Sequence, residues 1–318
     1  MNRLYISMYH YVRDLSHSRY PEIKGMSVEA FKQQLDFFEA NFNIIRMEDV
    51  IEATASGKSL PDNALLLTFD DGYADHFDYV FPILSNRGHQ GSFFIPGKTF
   101  TVHKLLDVNK IHYILAAADI TELYKDVLNL MDFYRGKEFD YPETKELLEE
   151  YEVASRLDPK EVIFVKRMLQ TVLPEKVRGI ISSDLFEKYV GISEEKLAYE
   201  LYLTEDQIET MKNHGMFIGL HGYDHYWLGN LETEQMKQDI SMAKEALSKY
   251  IDPKNWVMNY PYGSCNDKVI DYIKSEGATL GMITKVDIAD LDRDNPFMLP
   301  RLDCIDFPPR SENYKTYK

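Results

Sequence analysis

Four side chains in two short segments of the sequence could bind a cation or take part in acid–base chemistry. Asp70 and Asp71 are adjacent, and His221 and His225 are four positions apart. Two adjacent acids can take distinct roles. Side chains at i and i+4 lie on one side of a helical turn, so the two imidazoles could share a metal ion. The pattern favours a metal site, with a turn-forming acid pair and packed histidines as the alternative.

Each of these segments follows an apolar run that is typical of a buried strand. The acid pair ends the run 64–69, which is continuously apolar as in a parallel sheet, and His221 follows the run 216–220. A third segment, 259–263 (NYPYG), follows a predicted strand at 256–259. Functional loops of α/β folds lie at the carboxyl ends of strands. We therefore expect the three segments to meet at one edge of a sheet.

Strands and helices alternate in the two outer parts of the chain. A helix with Ser27 as its N-cap is predicted after the first strand, and further helices follow most later strands. The alternation predicts an α/β fold, either a (β/α) barrel or a doubly wound sheet. The predicted strands are 4–9, 44–45, 64–69, 91–95, 216–220, 256–259 and 278–283.

The middle of the chain has a different pattern. Residues 101–215 form long amphipathic stretches rich in Leu, Glu and Lys, without a convincing strand, which predicts a helical insertion. The predicted organisation is a barrel domain built from 1–100 and 216–318, interrupted by this insertion. Because loops of such length are uncommon, we expect it to be structured and to act as a lid, a specificity wall or an oligomer contact.

Charge and composition restrict the class of partner. The net charge is −16, whereas a surface that binds nucleic acid needs a basic footprint, so a neutral sugar is compatible and nucleic acid is not expected. Cys265 and Cys304 are too few for a disulfide framework. The opening residues lack a cleavage site, and no later run reaches the roughly 18 apolar residues of a membrane span. We therefore expect a cytoplasmic protein without a signal peptide or transmembrane segment.

In order and in placement at strand ends, the three segments resemble the motifs of the polysaccharide deacetylase family (NodB homology, carbohydrate esterase 4). Residues 68–72 read TFDDG, 221–225 (HGYDH) resemble the family's H-[ST]-x-x-H motif, and 261–263 (PYG) resemble the end of its R-x-P-Y motif. The resemblance covers 1–100 and 216 to near the C-terminus, but not the insertion. It implies a distorted (β/α) barrel of about seven strands.

The resemblance implies a role for each matched residue. Asp71, His221 and His225 would bind a divalent metal, usually Zn²⁺, with Co²⁺, Ni²⁺, Fe²⁺ or Mn²⁺ as alternatives. Asp70 would be the catalytic base. The backbone N–H of Tyr262 would stabilise the oxyanion. The predicted substrate and oxyanion group comprises Tyr262, Pro261, Asn259, Tyr223 and Arg301.

The sequence departs from the family pattern at several positions. No histidine follows His225, although family members usually take their general acid from a C-terminal histidine. His10, in the segment ISMYHYV, resembles instead the acid histidine on the N-terminal strand of the circularly rearranged deacetylases. Gly222 replaces the usual Ser or Thr, and Asn259 replaces an arginine that holds the catalytic aspartate. Arg301 could supply that charge from another strand.

These features predict a metal-dependent hydrolase that removes an N-acetyl or O-acetyl group from a sugar or a glycan precursor, with an Asp base and a His acid. Two alternatives remain open. The substituted third motif is compatible with a catalytically silent glycan-binding protein on the same fold, and the motifs alone are also compatible with an amidohydrolase that acts on a small non-sugar amide.

Overall fold

The computed structural model describes residues 2–136, 139–156 and 158–317. The chain divides into two compact units. The first unit comprises 1–14, 25–104 and 200–318, and the second comprises 15–24 and 105–199. The domain boundaries expected from the sequence, an insertion at 101–215, differ from this division at both ends. The second unit ends sooner, because the helix before the strand at Phe217–Leu220 packs with that strand. The second unit also includes the early segment 15–24.

The first unit is built on one curled sheet in which β1, β5, β6, β7, β8 and β9 run side by side in parallel and β10 pairs antiparallel with β1. Two short strands, β4 and β11, pair with β5 and β1 outside that path. The strands are β1 (Arg3–Tyr9), β2 (Val12–Arg13), β3 (Met26–Ser27), β4 (Asn43–Ile44), β5 (Ala64–Asp70), β6 (Ser92–Ile95), β7 (Phe217–Leu220), β8 (Trp256–Asn259), β9 (Ala278–Met282), β10 (Ala289–Asp290) and β11 (Leu302–Asp303).

Thirteen α-helices accompany these strands within the described residues. Ser27 caps the first helix by accepting the N–H of Ala30, as the sequence predicts. The helices are α1 (Val28–Asn41), α2 (Met47–Ser56), α3 (Phe81–Arg87), α4 (Gly97–Thr101), α5 (Asp107–Ala117), α6 (Ile120–Tyr134), α7 (Thr144–Tyr151), α8 (Lys160–Arg167), α9 (Glu175–Val190), α10 (Glu194–Leu201), α11 (Glu205–Asn213), α12 (Thr233–Ala246) and α13 (Asp267–Ser275).

Strand β5 shows how the sheet directs side chains toward the site. All its residues are buried, as the apolar run predicts. Leu65 and Leu67 pack into the cluster that faces the helices, whereas Leu66 packs into a second cluster made mainly of strand residues on the inner face. Because side chains alternate along a strand, Asp70 lies on the face of Leu66. By the same alternation, Asn259 lies on the inner face at the end of β8.

Residues 299–303 connect the two ends of the parallel sheet. Leu299 forms a parallel bridge with Met282 of β9, and Leu302 pairs with Ser7 of β1. Leu299 belongs to the inner cluster, so alternation directs Arg301 to the same side, where it is fully buried. This segment gives the sheet its barrel-like closure. The predicted α/β class and distorted barrel are confirmed.

The second unit is helical. It contains α5 to α9 and the first part of α10, and its buried residues are mainly apolar side chains at helical spacing, such as Leu123, Val127 and Met131 on α6. Across the described parts of the chain, no helix is both long enough and apolar enough to cross a membrane.

Candidate metal centre

The acid pair lies at a sharp turn where β5 ends. Asp71 and Gly72 both have left-handed backbone angles, with φ of 74° and 65°. A side chain on Gly72 would place its Cβ 2.8 Å from Cγ2 of Ile95, so only glycine fits there. The turn therefore fixes two successive carboxylates at the carboxyl end of the strand, each about 1% exposed.

Asp71, His221 and His225 converge on one point. The Nε2 atoms of His221 and His225 lie 3.3 Å and 3.2 Å from Oδ1 of Asp71. One ligand atom from each residue lies within 4.8 Å of the others, and all three side chains are buried. Oδ1 of Asp71 has no hydrogen-bond partner, and an unsatisfied buried carboxylate oxygen is costly. A divalent cation between the three atoms would remove that cost.

Hydrogen bonds on the far side of these ligands fix their orientation. Nδ1 of His221 lies 2.6 Å from the carbonyl oxygen of Asn259, which can only accept, so Nδ1 carries the proton and Nε2 presents a lone pair. The hydroxyl of Tyr73 donates to Oδ2 of Asp71 at 2.6 Å and leaves Oδ1 to face the imidazoles. Such partners are typical of metal ligands.

The pKa shifts of Asp71 and His225 suit cation binding. Burial raises the pKa of Asp71, but the adjacent imidazoles of His221 and His225 outweigh burial and hold that pKa well below its usual value. Burial lowers the pKa of His225 more than Asp71 raises it. For His221, burial also lowers the pKa, but the nearby carboxylates of Asp71 and Asp70 give a net rise. An anionic carboxylate and a neutral imidazole are the forms that metals bind, so the shifts at Asp71 and His225 favour a cation, whereas the shift at His221 opposes it.

Asp70 does not face the imidazoles but is held by a buried cation. Arg301 donates from Nη1 to Oδ1 at 2.9 Å and from Nη2 to Oδ2 at 2.8 Å, and Asn259 donates from Nδ2 to Oδ1 at 2.6 Å. Burial alone raises the pKa of Asp70, yet the charge and hydrogen bonds of Arg301 lower it to about 2. Asp70 is therefore a fixed anion, adjacent to the cluster and outside its ligand set.

His10 lies at the end of β1, on the open side of Asp70. Its Nε2 is 3.8 Å from Oδ2 of Asp70, and 39% of its side chain is exposed. The backbone carbonyl of His10 accepts a hydrogen bond from Nε2 of the buried His76 at 2.9 Å. Burial lowers the pKa of His76 to about 4, so this histidine is neutral at pH 7 and acts as a donor. The acid histidine proposed from the sequence is thus accessible and close to the carboxylate.

The third segment forms one turn of 3-10 helix, Pro261–Gly263, directly after β8. Tyr262 has a left-handed backbone with φ of 57°. Its ring lies edge-on to His225, with centroids 4.7 Å apart, and stacks on Trp227 at 4.4 Å. Pro261 is buried and Tyr262 is partly exposed. The turn therefore places a pair of aromatic rings beside a metal-ligand candidate.

Tyr223 has a different placement. Its ring packs against Gly97 of α4, and its hydroxyl lies 3.2 Å from Oγ1 of Thr101 in the same helix. These contacts give the ring a packing role against α4. Of the residues selected from the sequence, the structure brings together Asp70, Asp71, His10, His221, His225, Asn259, Arg301 and Tyr262 through the contacts above.

Two supporting residues were not identified from the sequence, His76 and Asp239. Asp239 is 4% exposed and lies on the buried face of α12 beside Met236, Ile240 and Ala243. An aspartate among apolar residues at helical spacing is the signal that could have indicated it, since a buried carboxylate requires hydrogen-bond partners. His76 follows the acid pair by only five positions, but no pattern links it to His10.

A family model described as polysaccharide deacetylase matches residues 181–281 of this chain. The Bacillus subtilis (strain 168) protein YxkH is 25% identical over 97 residues, which are 30% of this chain and 35% of YxkH. The poly-beta-1,6-N-acetyl-D-glucosamine N-deacetylase of Escherichia coli (strain K12) is 36% identical over 61 residues, 19% of this chain and 9% of that enzyme. The matches thus span about a third or less of these relatives.

Solved structures resemble the chain over nearly its whole length. The Streptococcus pyogenes deacetylase PplD in complex with acetate has a TM-score of 0.58 at 16% identity, covering 99% of this chain and 96% of PplD. IcaB from Ammonifex degensii has a TM-score of 0.56 at 17% identity, covering 99% and 97%. At these identities the likeness establishes a shared fold.

Proposed function

We propose that this chain, which the matching family model relates to polysaccharide deacetylases, hydrolyses an N-acetyl or O-acetyl group on a sugar or polysaccharide precursor in a metal-dependent reaction. One observation carries the proposal. Three buried ligand atoms of Asp71, His221 and His225 converge beside a second carboxylate, Asp70, which Arg301 keeps ionised.

Asp71, His221 and His225 would hold the cation. One carboxylate oxygen and two imidazole nitrogens favour Zn²⁺, with Co²⁺, Ni²⁺, Fe²⁺ and Mn²⁺ as alternatives. When bound with an open coordination position, such a cation lowers the pKa of water and polarises a carbonyl oxygen. The unpartnered Oδ1 of Asp71 and the fixed tautomer of His221 both support this ligand set.

Asp70 takes the proton from the attacking water in the proposed mechanism. Arg301 and Asn259 hold its oxygens in place, so the carboxylate does not need to reorient. Because the pKa of Asp70 is about 2, it is anionic at neutral pH, and it holds an accepted proton only weakly. The proton is therefore passed on readily.

His10 provides the proton that the leaving amine or alcohol needs. Its imidazole is partly exposed, so substrate can reach it, and it lies 3.8 Å from Asp70. The hydrogen bond from His76 to the carbonyl of His10 fixes the backbone of His10. The backbone N–H of Tyr262 is proposed to stabilise the oxyanion, as the family motif implies. The stacked rings of Tyr262 and Trp227 could contact the apolar face of a sugar ring.

The experiment is release of acetate from acetylated sugars by the zinc-loaded protein, screened over N-acetylated and O-acetylated glycans. Asp70→Asn is expected to lower the rate by about 100-fold or more, because the base is lost, while metal content and fold are kept. Asp62→Asn, an exposed aspartate just before the same strand, is the matched control.

The screen also separates the alternatives. Glycan binding without acetate release from any substrate would favour a catalytically silent binding protein. Hydrolysis of small amides but of no acetylated sugar would favour a general amidohydrolase. Full activity in Asp70→Asn would refute the proposed base.

A further inference from the structure

The segment 221–225, here the histidine loop, is held on one side by the start of α4. The N–H of Gly97 donates to the carbonyl of Gly222 at 3.0 Å, and the N–H of Lys98 donates to the carbonyl of Tyr223 at 3.1 Å. The ammonium of Lys98 also pairs with the carboxylate of Asp224. These contacts fix the carbonyl side of the loop backbone.

The carboxylate of Asp239, on α12, binds the backbone N–H groups of the same loop. Its Oδ2 accepts the N–H of Tyr223 at 2.9 Å, and its Oδ1 accepts the N–H of Asp224 at 2.8 Å. The side chain is 4% exposed and otherwise surrounded by the apolar face of its helix. A buried carboxylate is costly unless it is hydrogen-bonded, and here both oxygens are used for two successive N–H groups of one loop.

Gly222 lies close to this carboxylate. Its φ is 68°, and a Cβ at this position would lie 3.0 Å from Oδ2 of Asp239. A side chain at this position would therefore press on the carboxylate of Asp239 and would also strain the left-handed backbone. His225, at the end of the loop, also has a left-handed backbone with φ of 58°, a conformation that costs energy and persists only when its surroundings impose it.

We infer that Asp239 is a positioning residue for the metal ligands. By holding the N–H groups of Tyr223 and Asp224, it keeps the histidine loop in the left-handed conformation that brings His221 and His225 to Asp71. The inference deepens the proposed function and rests on it. Asp239 does not touch the ligand side chains, so its effect acts through the loop backbone.

The test is the dissociation constant for Zn²⁺ of the full chain, measured by competition with a chromophoric chelator. Asp239→Asn keeps the shape of the side chain but turns one acceptor into a donor that faces a backbone N–H. We expect this variant to bind Zn²⁺ about 10- to 100-fold more weakly, the range seen for outer partners of metal sites. Its acetate release should fall at limiting Zn²⁺ and recover in excess Zn²⁺.

The matched control is Glu234→Gln, the same chemical change on the same helix at a side chain that is 88% exposed. It should bind Zn²⁺ as the wild type does. If Asp239 serves the fold alone, Asp239→Asn would lower the melting temperature of the metal-free protein and leave the dissociation constant unchanged, and that result overturns the inference.

Gly222→Ala provides a second variant in which the helix is untouched. Its Cβ would press on the carboxylate and strain the loop backbone, so weaker Zn²⁺ binding is expected here too, even if Asp239→Asn fails to fold. Wild-type affinity in Gly222→Ala would overturn the inference while the proposed function stands. A wild-type protein that binds no divalent cation would instead overturn the proposed function, and the inference with it.

Discussion

At the scale of single residues, adjacent carboxylates have opposite surroundings. Asp71 faces two imidazoles, whereas Asp70 faces a guanidinium and an amide. The left-handed backbone at Asp71 separates the two carboxylates, because the Asp71 side chain no longer follows the alternating directions of the strand side chains. In the proposed mechanism, one acid thereby binds the cation and the other takes the proton of water.

The acid role of His10 is tested at the same scale. Because the imidazole lies beside Asp70 and outside the ligand cluster, His10→Ala should lower acetate release by about 100-fold or more but leave the affinity for Zn²⁺ unchanged. His214→Ala, at an exposed histidine, is the control. Loss of bound Zn²⁺ in His10→Ala would show that the residue belongs to the metal site instead.

At the scale of elements, the segment 299–303 determines whether Asp70 is paired. The segment pairs with β9 on one side and with β1 on the other. The alternation of its side chains between the two faces brings Arg301 to Asp70 at the end of β5. Two residues from different segments thus hold Asp70. Asn259 supplies an amide to Asp70 and a carbonyl to His221, and Arg301 supplies the charge.

Replacing Arg301 by methionine should destabilise the protein by about 3–5 kcal/mol, because it leaves a buried carboxylate without its cation. Urea unfolding measures this change. The double variant Asp70→Asn with Arg301→Met, which removes both charges, should recover part of the loss. Equal stability of Arg301→Met and wild type would contradict the proposed importance of the pair.

The same substitution should change the pH dependence of activity. Without Arg301, burial would raise the pKa of Asp70 from about 2, since its main opposing cause is removed. The base would then be protonated at a higher pH, so the acid limb of the pH–rate profile should move upward. A profile identical to that of the wild type would show that Asp70 does not titrate in that limb.

Across the whole molecule, the three proposed ligands come from distant parts of the chain, so a bound cation would link the site to the stability of the fold. A cation that binds only the folded state stabilises it by about 2.7 kcal/mol when free metal is 100-fold above the dissociation constant. Zn²⁺ should therefore raise the melting temperature by several degrees, and a chelator should reverse the rise. Asp71→Asn should abolish the shift, whereas an unchanged melting temperature in the wild type would argue against a preformed site.

The sequence alone predicted the parts of this protein that depend on local patterns. The apolar run 64–69, the strand before His221 and the N-cap Ser27 gave strands, a helix start and strand-end positions that the structure confirms, because side-chain periodicity and capping are local properties. The long amphipathic middle segment likewise gave helices. Boundaries such as that near residue 200 depend on which helices pack together, and the sequence does not contain that information.

Which polar groups meet, including the contact that the sequence suggested for Arg301, depends on tertiary packing. Arg301 and Asp70 are 231 positions apart, and their contact depends on the path of the segment that closes the sheet. Asp239 reaches the histidine loop because α12 packs beside it, and His76 reaches His10 from a different segment. Hydrogen bonds between distant segments follow from topology and packing. Local pattern therefore places the reactive residues at the ends of strands, and the fold determines how each side chain is oriented and paired.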